Sequence, residues 1–551
     1  MTQTQKADII LLSDAVFTGL AERPSPAAVA VKGNRIMAVS DKDADSIAHL
    51  TGVNTEVYDF GDRLIMPGFM DAHVHFFMGA FVASEHMNTE ISKSVSEEDC
   101  VRMMVAYSKQ HPHLPRVCGM GWYPANWHDA PLPTKESLDA AFPDKPAYLV
   151  CADAHTVWIN SQAIEECGFT ADTVVECGEI CKDEQGNLNG ILKEAAGFIA
   201  FEKMMNLPTA DVKVMQESFL KSIIENGITS VSDMSANALN DNTIGLFEAG
   251  KELEREGKLP VRLHFYPGLG SAPDYEHILK YKKAFDTEKV KISGLKGFVD
   301  GVTSTYTGLL LEPYSDKPDT RGYSNYPKEV YEECITTANA IGLGVRLHCI
   351  ADGSVRMALD CFEKSNRVNE NPGNRKGIQN TIEHCENIHP DDIPRFHQLG
   401  VIPSMQPYHL TLDYNEKIGR IGEERSKYEW PHKSLLDAGA RLAFGTDFPV
   451  VGFNPFPSVY AAVTRCDDDG QPTGTNPNEK ISLADALKAY TLGSAFAYGR
   501  EKELGTLEKG KLADLVVVDK NLFEIGVDEI KDCLIHLTMM DGKIEYERKM
   551  D

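Results

Sequence analysis

DAHVHF, Asp71 to Phe76, arrives directly after the apolar run Leu64-Ile65-Met66-Pro67-Gly68-Phe69-Met70. Such a run reads as buried strand, and side chains on a strand alternate with a period of two. His73 and His75 therefore share a face near the strand's end. Two neutral imidazoles aimed at one spot suit a zinc-like cation. A lone His-x-His also fits a surface or core-edge pair, so recurrence elsewhere in the chain decides between them.

The context recurs. Gly344-Val345-Arg346-Leu347 leads into His348, and Gln379-Asn380-Thr381-Ile382-Glu383 leads into His384. Arg441 to Thr446 leads into Asp447, and Val290 to Leu295 leads into Lys296. Each polar residue stands where a buried strand would emerge at its C-terminal end. In a parallel α/β barrel those ends converge on one face, where active sites sit. The spacing predicts a TIM-like (β/α)8 barrel whose mouth gathers His73, His75, His348, His384, Asp447 and Lys296.

Length and charge narrow the function classes. At 551 residues the chain can bury a large core and divide into more than one domain. With 55 Lys and Arg against 82 Asp and Glu, the net charge of −27 argues against nucleic acid or an anionic membrane as partner. No apolar stretch is long enough to span a bilayer. The N-terminal MTQTQKADIILLSDAVF lacks the pattern of a signal peptide. The twelve cysteines show no repeating framework, with Cys177 and Cys181 the nearest pair, so reduced thiols in a cytoplasmic protein are expected.

Short β-type runs separated by turn signals occupy both ends. They include Ile9 to Leu12, Ala28 to Val31 and Arg35 to Val39, then Leu515 to Val518 and Ile535 to Met540, with Asp541-Gly542 as a hairpin signal. These are expected to pair as one small β-sandwich over residues 1–63 and 503–551, flanking a barrel over 64–502. Between His73 and Lys296 lie four strand candidates, at Arg116, Ala147, Ile228 and Val261, and the family resemblance carried by the motifs quoted next implies room for only two, because it puts Lys296 on the fourth barrel strand. The runs at Ile228 and Val261 fit best, because helix-like segments precede and separate them. Residues 82–207 are then an insertion after the first barrel strand, placed as a lid or substrate subdomain. It holds Trp122, Trp127 and Trp158, which either face substrate or form the insertion's own core.

PGFMDAHVHF, LKGFVDGVTS around Lys296, RLHCIADGSV around His348, TIEHCE around His384, PSMQPYH, AFGTDFPV around Asp447 and GTLEKGKLADLVVVD occur in this order along the chain. In these motifs the chain resembles the amidohydrolase superfamily, and within it the amidohydrolase family 3 group that includes N-substituted formamide deformylase. The resemblance implies a metal-dependent hydrolase. His73, His75 and Asp447 would hold one divalent ion, and His348 and His384 a second. Lys296, carboxylated by carbon dioxide, would bridge them, whereas an unmodified lysine paired with Asp300 would leave a single-metal site. Zinc is expected, and iron, manganese or nickel suit the same donors.

In that reading Asp447 is also the general base and acid. It takes a proton from the attacking water and passes it to the departing amine. The bond would be a non-peptide amide-type C–N bond, in an N-substituted formamide or an N-acyl amine. A cyclic amide, ester or carbamate, or an isomerisation or decarboxylation, would use the same parts, and a silent binding or regulatory relative is the non-enzymatic alternative. Trp122, His155, Trp158 and His409 are expected to contact a small substrate with an apolar or aromatic substituent. Asp71 and Asp300 are expected to support the ligands from behind. A homodimer is compatible with this reading, but no pattern specifies one.

Overall fold

The computed structural model describes residues 5–40, 44–127, 132–152, 156–175, 178–235, 241–374, 376–412, 414–474 and 476–549. The chain divides into two compact units, residues 1–76 with 220–551, and residues 77–219. The expected insertion, 82–207, falls inside the second unit.

The first unit carries two parallel sheets. One pairs β1 (Phe69–Val74), β2 (Ile228–Asp233), β3 (Arg262–Phe265) and β4 (Val290–Ile292) in chain order. The other pairs β5 (Gly294–Phe298), β6 (Gly344–Cys349), β7 (Thr381–His384), β8 (Ile402–Met405) and β9 (Ala443–Phe444), again in chain order. Helices lie between successive strands, for example Asp241–Arg255, Lys328–Ala340, Asp352–Val368 and Ile393–Leu399. In Asp352–Val368 the buried Val355, Ala358, Leu359 and Phe362 recur at helical spacing, which gives that helix its inward face. The strands are buried along their length, as expected where both faces of a parallel sheet are covered.

Backbone bonds also link the two sheets. Lys296 donates to the Pro267 carbonyl, and Leu269 donates to that of Lys296. At the other edge Asp447 donates to the His73 carbonyl and His75 to that of Phe448.

Two apolar runs that read as single strands are in fact broken. The run from Val290 splits at Ser293, so Lys296 stands in the middle of β5 rather than at a strand end. The run from Leu64 splits at Gly68, where a Cβ would lie 2.4 Å from the Thr229 side chain. Leu64–Pro67 is expected to open the barrel, but it joins the terminal strands instead, with Met66 opposite Val516. Those strands form one eight-stranded sheet drawn from both chain ends. One apolar cluster combines Val29, Val31 and Ile36 from one end with Val517, Leu537 and Met539 from the other.

The second unit has its own five-stranded sheet, built from residues 117–122, 147–151, 156–159, 178–182 and 188–194. Trp122, Trp127 and Trp158 form its core. The Trp122 ring centroid is 5.6 Å from that of Trp127 and 5.9 Å from that of Trp158. The Trp122 indole N–H donates to the Leu149 carbonyl and that of Trp158 to the Thr134 carbonyl, both at 2.8 Å. Trp122 and Trp158 are 0% exposed, so their expected role as substrate contacts gives way to the core reading. Among the described residues, no helix is long and apolar enough to cross a membrane, and the cysteines are free thiols.

Trp122→Ala is therefore expected to destabilise the protein by about 3–5 kcal/mol through lost burial and the cavity left behind. Urea unfolding followed by fluorescence measures this, and a loss below about 1 kcal/mol would contradict a core role.

Candidate metal centre

Strand β1 and the segment after β9 are held together by Asp71. Its carboxylate accepts the backbone N–H of His73 at 3.1 Å, the N–H of Thr446 at 2.9 Å and the Thr446 hydroxyl at 2.6 Å. Asp71 thus fixes the His73 backbone rather than an imidazole ring. Burial pushes its carboxyl up to about 6 in spite of those donors. The two segments approach closely because residue 445 is glycine: a Cβ there would lie 2.4 Å from the His73 nitrogen.

Four imidazoles converge on the carboxylate of Asp447. Nε2 of His73 and Nε2 of His75 lie 3.3 and 3.1 Å from its Oδ1. His384 Nδ1 and His409 Nε2 lie 3.9 and 3.8 Å from its Oδ2. The ring of His384 stands 4.7 Å from that of His73 and 4.4 Å from that of His348, so the four expected histidines share one cluster. His348 Nε2 faces the Gly301 carbonyl at 3.3 Å. Asp447 and His384 have φ of +62° and +73°, a region that disfavours side chains and collects at functional sites.

Lys296 is buried, and among the described residues its Nζ has no hydrogen-bond partner; it lies 5.0 Å from the Phe298 ring centroid. Burial pulls its ammonium down to about 8, against the attraction of Glu383 and Asp447. Burial and the Lys296 charge together pull His348 down to about 3, and burial also takes His384 well below the usual range. Burial opposes ionisation of Asp447, but the imidazole of His73 outweighs it and keeps the carboxyl well below the usual range. The cluster therefore offers neutral imidazoles at His348 and His384 beside an ionised carboxylate.

Asp300 does not pair with Lys296. Its carboxylate accepts the N–H groups of Leu309, Ile350 and Ala351, tying together the loops after β5 and β6. His409 sits between Asp447 and Glu386, 3.8 Å from each. Glu386 is in turn bound by the Lys417 ammonium at 2.6 Å, which lies over the Trp430 ring. His155 lies outside the described residues. Two buried residues at the centre carry no ligand signal in the sequence: Glu383 bonds His73 Nδ1 at 2.7 Å, and Arg346 bonds Glu383 at 3.1 Å. The alternation that pairs His348 with Arg346, two places back on β6, is the one clue available.

The donors present suit a divalent cation. His384 Nδ1 and Asp447 Oδ1 are buried without a directed hydrogen bond, which is costly unless another charge takes their place. Ligands about 2.0–2.2 Å from a tetrahedral zinc stand roughly 3.3 Å apart, close to the spacing from Asp447 Oδ1 to the two Nε2 atoms. His73, His384 and Asp447 each offer a ligand atom, all within 4.8 Å of one another.

Comparison with known proteins agrees. The model of the amidohydrolase family matches residues 56–546. The chain is 25% identical over 562 residues to N-substituted formamide deformylase of Arthrobacter pascens, covering 99% of each. It is 27% identical over 549 residues to protein LONG AFTER FAR-RED 3 of Arabidopsis thaliana, covering 98% of this chain and 92% of that one. The crystal structure of an uncharacterized metal-dependent hydrolase from Pyrococcus horikoshii OT3 superposes with a TM-score of 0.77 at 25% identity, over 94% of this chain and 99% of that one.

The buried ammonium gives a pH signature in metal-free protein. With its folded pKa lowered to about 8 from 10.5, Lys296 disfavours folding while protonated. That penalty is present in full below about pH 8 and fades as pH rises toward 10.5. In chelator, Lys296→Met is expected to melt higher than wild type at pH 7, with the gap closing between pH 8 and 10.5. A gap that ignores pH would contradict this.

Proposed function

The chain belongs to the amidohydrolase family and is a hydrolase of carbon–nitrogen bonds, and we propose that it cleaves a non-peptide amide, an N-substituted formamide or an N-acyl amine. The observation that carries this reading is the carboxylate of Asp447, with imidazoles facing both of its oxygens. Amines leave poorly unless protonated, so amide hydrolysis needs one group that both removes and returns a proton. An ionised Asp447 can take a proton from water as its oxygen attacks the carbonyl, then deliver it to the departing nitrogen.

A bound divalent cation supplies Lewis acidity, lowering the pKa of water from 15.7 to roughly 7 in the zinc case and offsetting charge on the carbonyl oxygen. His73, His75 and Asp447 are the residues we assign to a first ion, and His348 and His384 to a second. Lys296 in its amine form could add carbon dioxide and release a proton, and the resulting carbamate would offer anionic oxygen donors to the same centre. Its unpartnered Nζ and lowered pKa favour that amine form. His409, held near Asp447 by Glu386, is the assigned substrate contact.

For the scaffold, the bonds between β5 and the segment after β3, and between β1 and the segment after β9, support a closed (β/α)8 barrel, with β4 and β5 counted as one interrupted strand. The site then lies at the C-terminal ends of the strands, as in other barrels of this kind.

The test is hydrolysis of a panel of N-substituted formamides and N-acetyl amines by zinc-loaded protein. Turnover is expected, and Asp447→Asn is expected to lower kcat by at least ~10²-fold, with metal content measured alongside. Metal-replete protein that leaves the whole panel untouched would overturn the assignment.

A further inference from the structure

The ring of His73 has a second carboxylate behind it, at hydrogen-bond distance. Its Nε2 faces Asp447, and its Nδ1 bonds Oε2 of Glu383 at 2.7 Å. Glu383 is 0% exposed and makes no contact with solvent. Its other oxygen is bonded by the Arg346 guanidinium at 3.1 Å. Arg346 is itself anchored: it donates to the Ala72 carbonyl at 2.7 Å and to the Ala497 carbonyl at 3.1 Å, with its plane 4.4 Å from the Tyr266 ring centroid.

These contacts form one line, from Arg346 through Glu383 to His73, across β6, β7 and β1. A carboxylate can only accept, so Nδ1 of His73 must carry a proton, and in the neutral ring that a metal requires Nε2 then presents its lone pair. An anion behind an imidazole also makes that lone pair more basic, and such partners typically contribute 10–100-fold to metal affinity. Arg346 serves a different end. Its bond to the Ala72 carbonyl ties Glu383 to the strand that carries His73, so ring and carboxylate keep their register.

From this geometry we infer that Glu383, held by Arg346, is a positioning residue that fixes His73 as an Nε2 ligand and raises the centre's affinity for divalent metal. The inference rests on the metal-dependent reading of the same site. It needs no substrate to be tested.

The probe is zinc alone. Apoprotein is titrated with zinc against a chromophoric chelator, for wild type and for Glu383→Gln, which keeps the shape and loses the charge. Melting in chelator reports whether the fold survives. The expected result is a 10–100-fold rise in zinc Kd for Glu383→Gln, measured where its apoprotein is folded, with a lowered apoprotein melting temperature because Arg346 loses its anion. Equal zinc affinity in the two proteins overturns the role of Glu383 while leaving the metal centre intact. A wild type that binds no zinc overturns the metal-centre reading itself, and this inference with it. If Glu383→Gln fails to fold, ¹⁵N-histidine NMR of zinc-loaded wild type decides. A His73 ring protonated at Nδ1 and metallated at Nε2 supports the inference, and the reverse tautomer overturns it.

Discussion

A carboxylate buried among imidazoles, Asp447, is the constraint from which the rest of the centre follows. An isolated charge is costly to bury, and among the described residues no lysine or arginine bonds to it. Nitrogen atoms of His73, His75, His384 and His409 face it instead. Such an arrangement holds only if the surrounding backbone is over-determined. Asp71 clamps the two segments that carry His73 and Asp447, Gly445 leaves room for them to meet, and positive φ at His384 and Asp447 aims side chains where relaxed backbone would not. The price is borne by the scaffold, in glycine, strain and a fully buried aspartate.

Much of the centre was legible because its residues follow buried apolar runs. His73, His348, His384 and Asp447 stand at or just beyond the ends of β1, β6, β7 and β9, where hydrophobic periodicity stops. Lys296 was legible as a residue but not as a position. Periodicity cannot see the break at Ser293, which places it mid-strand. The break at Gly68 was hidden for the same reason, since only the nearness of Thr229, far along the chain, demands it. Glu383 gave no ligand signal, and Arg346 only its alternation with His348, because a charged residue inside a β run reads as a solvated edge and their burial depends on each other. The tryptophans were open to two readings because ring area serves a core and a pocket equally well. Their N–H groups, bonded to carbonyls of their own unit, decide for the core.

Two layers of support behind the donors differ in kind. Asp71 and Asp300 bind backbone N–H groups and so fix the course of the chain around the site. Glu383 and Glu386 face imidazoles, and each is bonded by a cation of its own, Arg346 and Lys417. A carboxylate paired in this way keeps its charge when buried. Beside Arg346, and despite burial, Glu383 is held down at about 2, and Glu386 likewise at about 2 beside Lys417. Main-chain geometry and ring orientation are therefore set by separate groups.

The sheet shared by the two chain ends carries a consequence for biogenesis. Leu64–Pro67 lies between Ile9–Val16, not far upstream in the chain, and Leu515–Val518, far downstream. Until Leu515–Val518 is made and docks, the edge of Leu64–Pro67 that belongs to it has no partner, just ahead in the chain of the strand that bears His73. Pairings so distant in sequence form slowly, and exposed edges recruit other chains while they wait. Closing this sheet is thus a long-range step, and the edge of Leu64–Pro67 stays open to other chains until it is made.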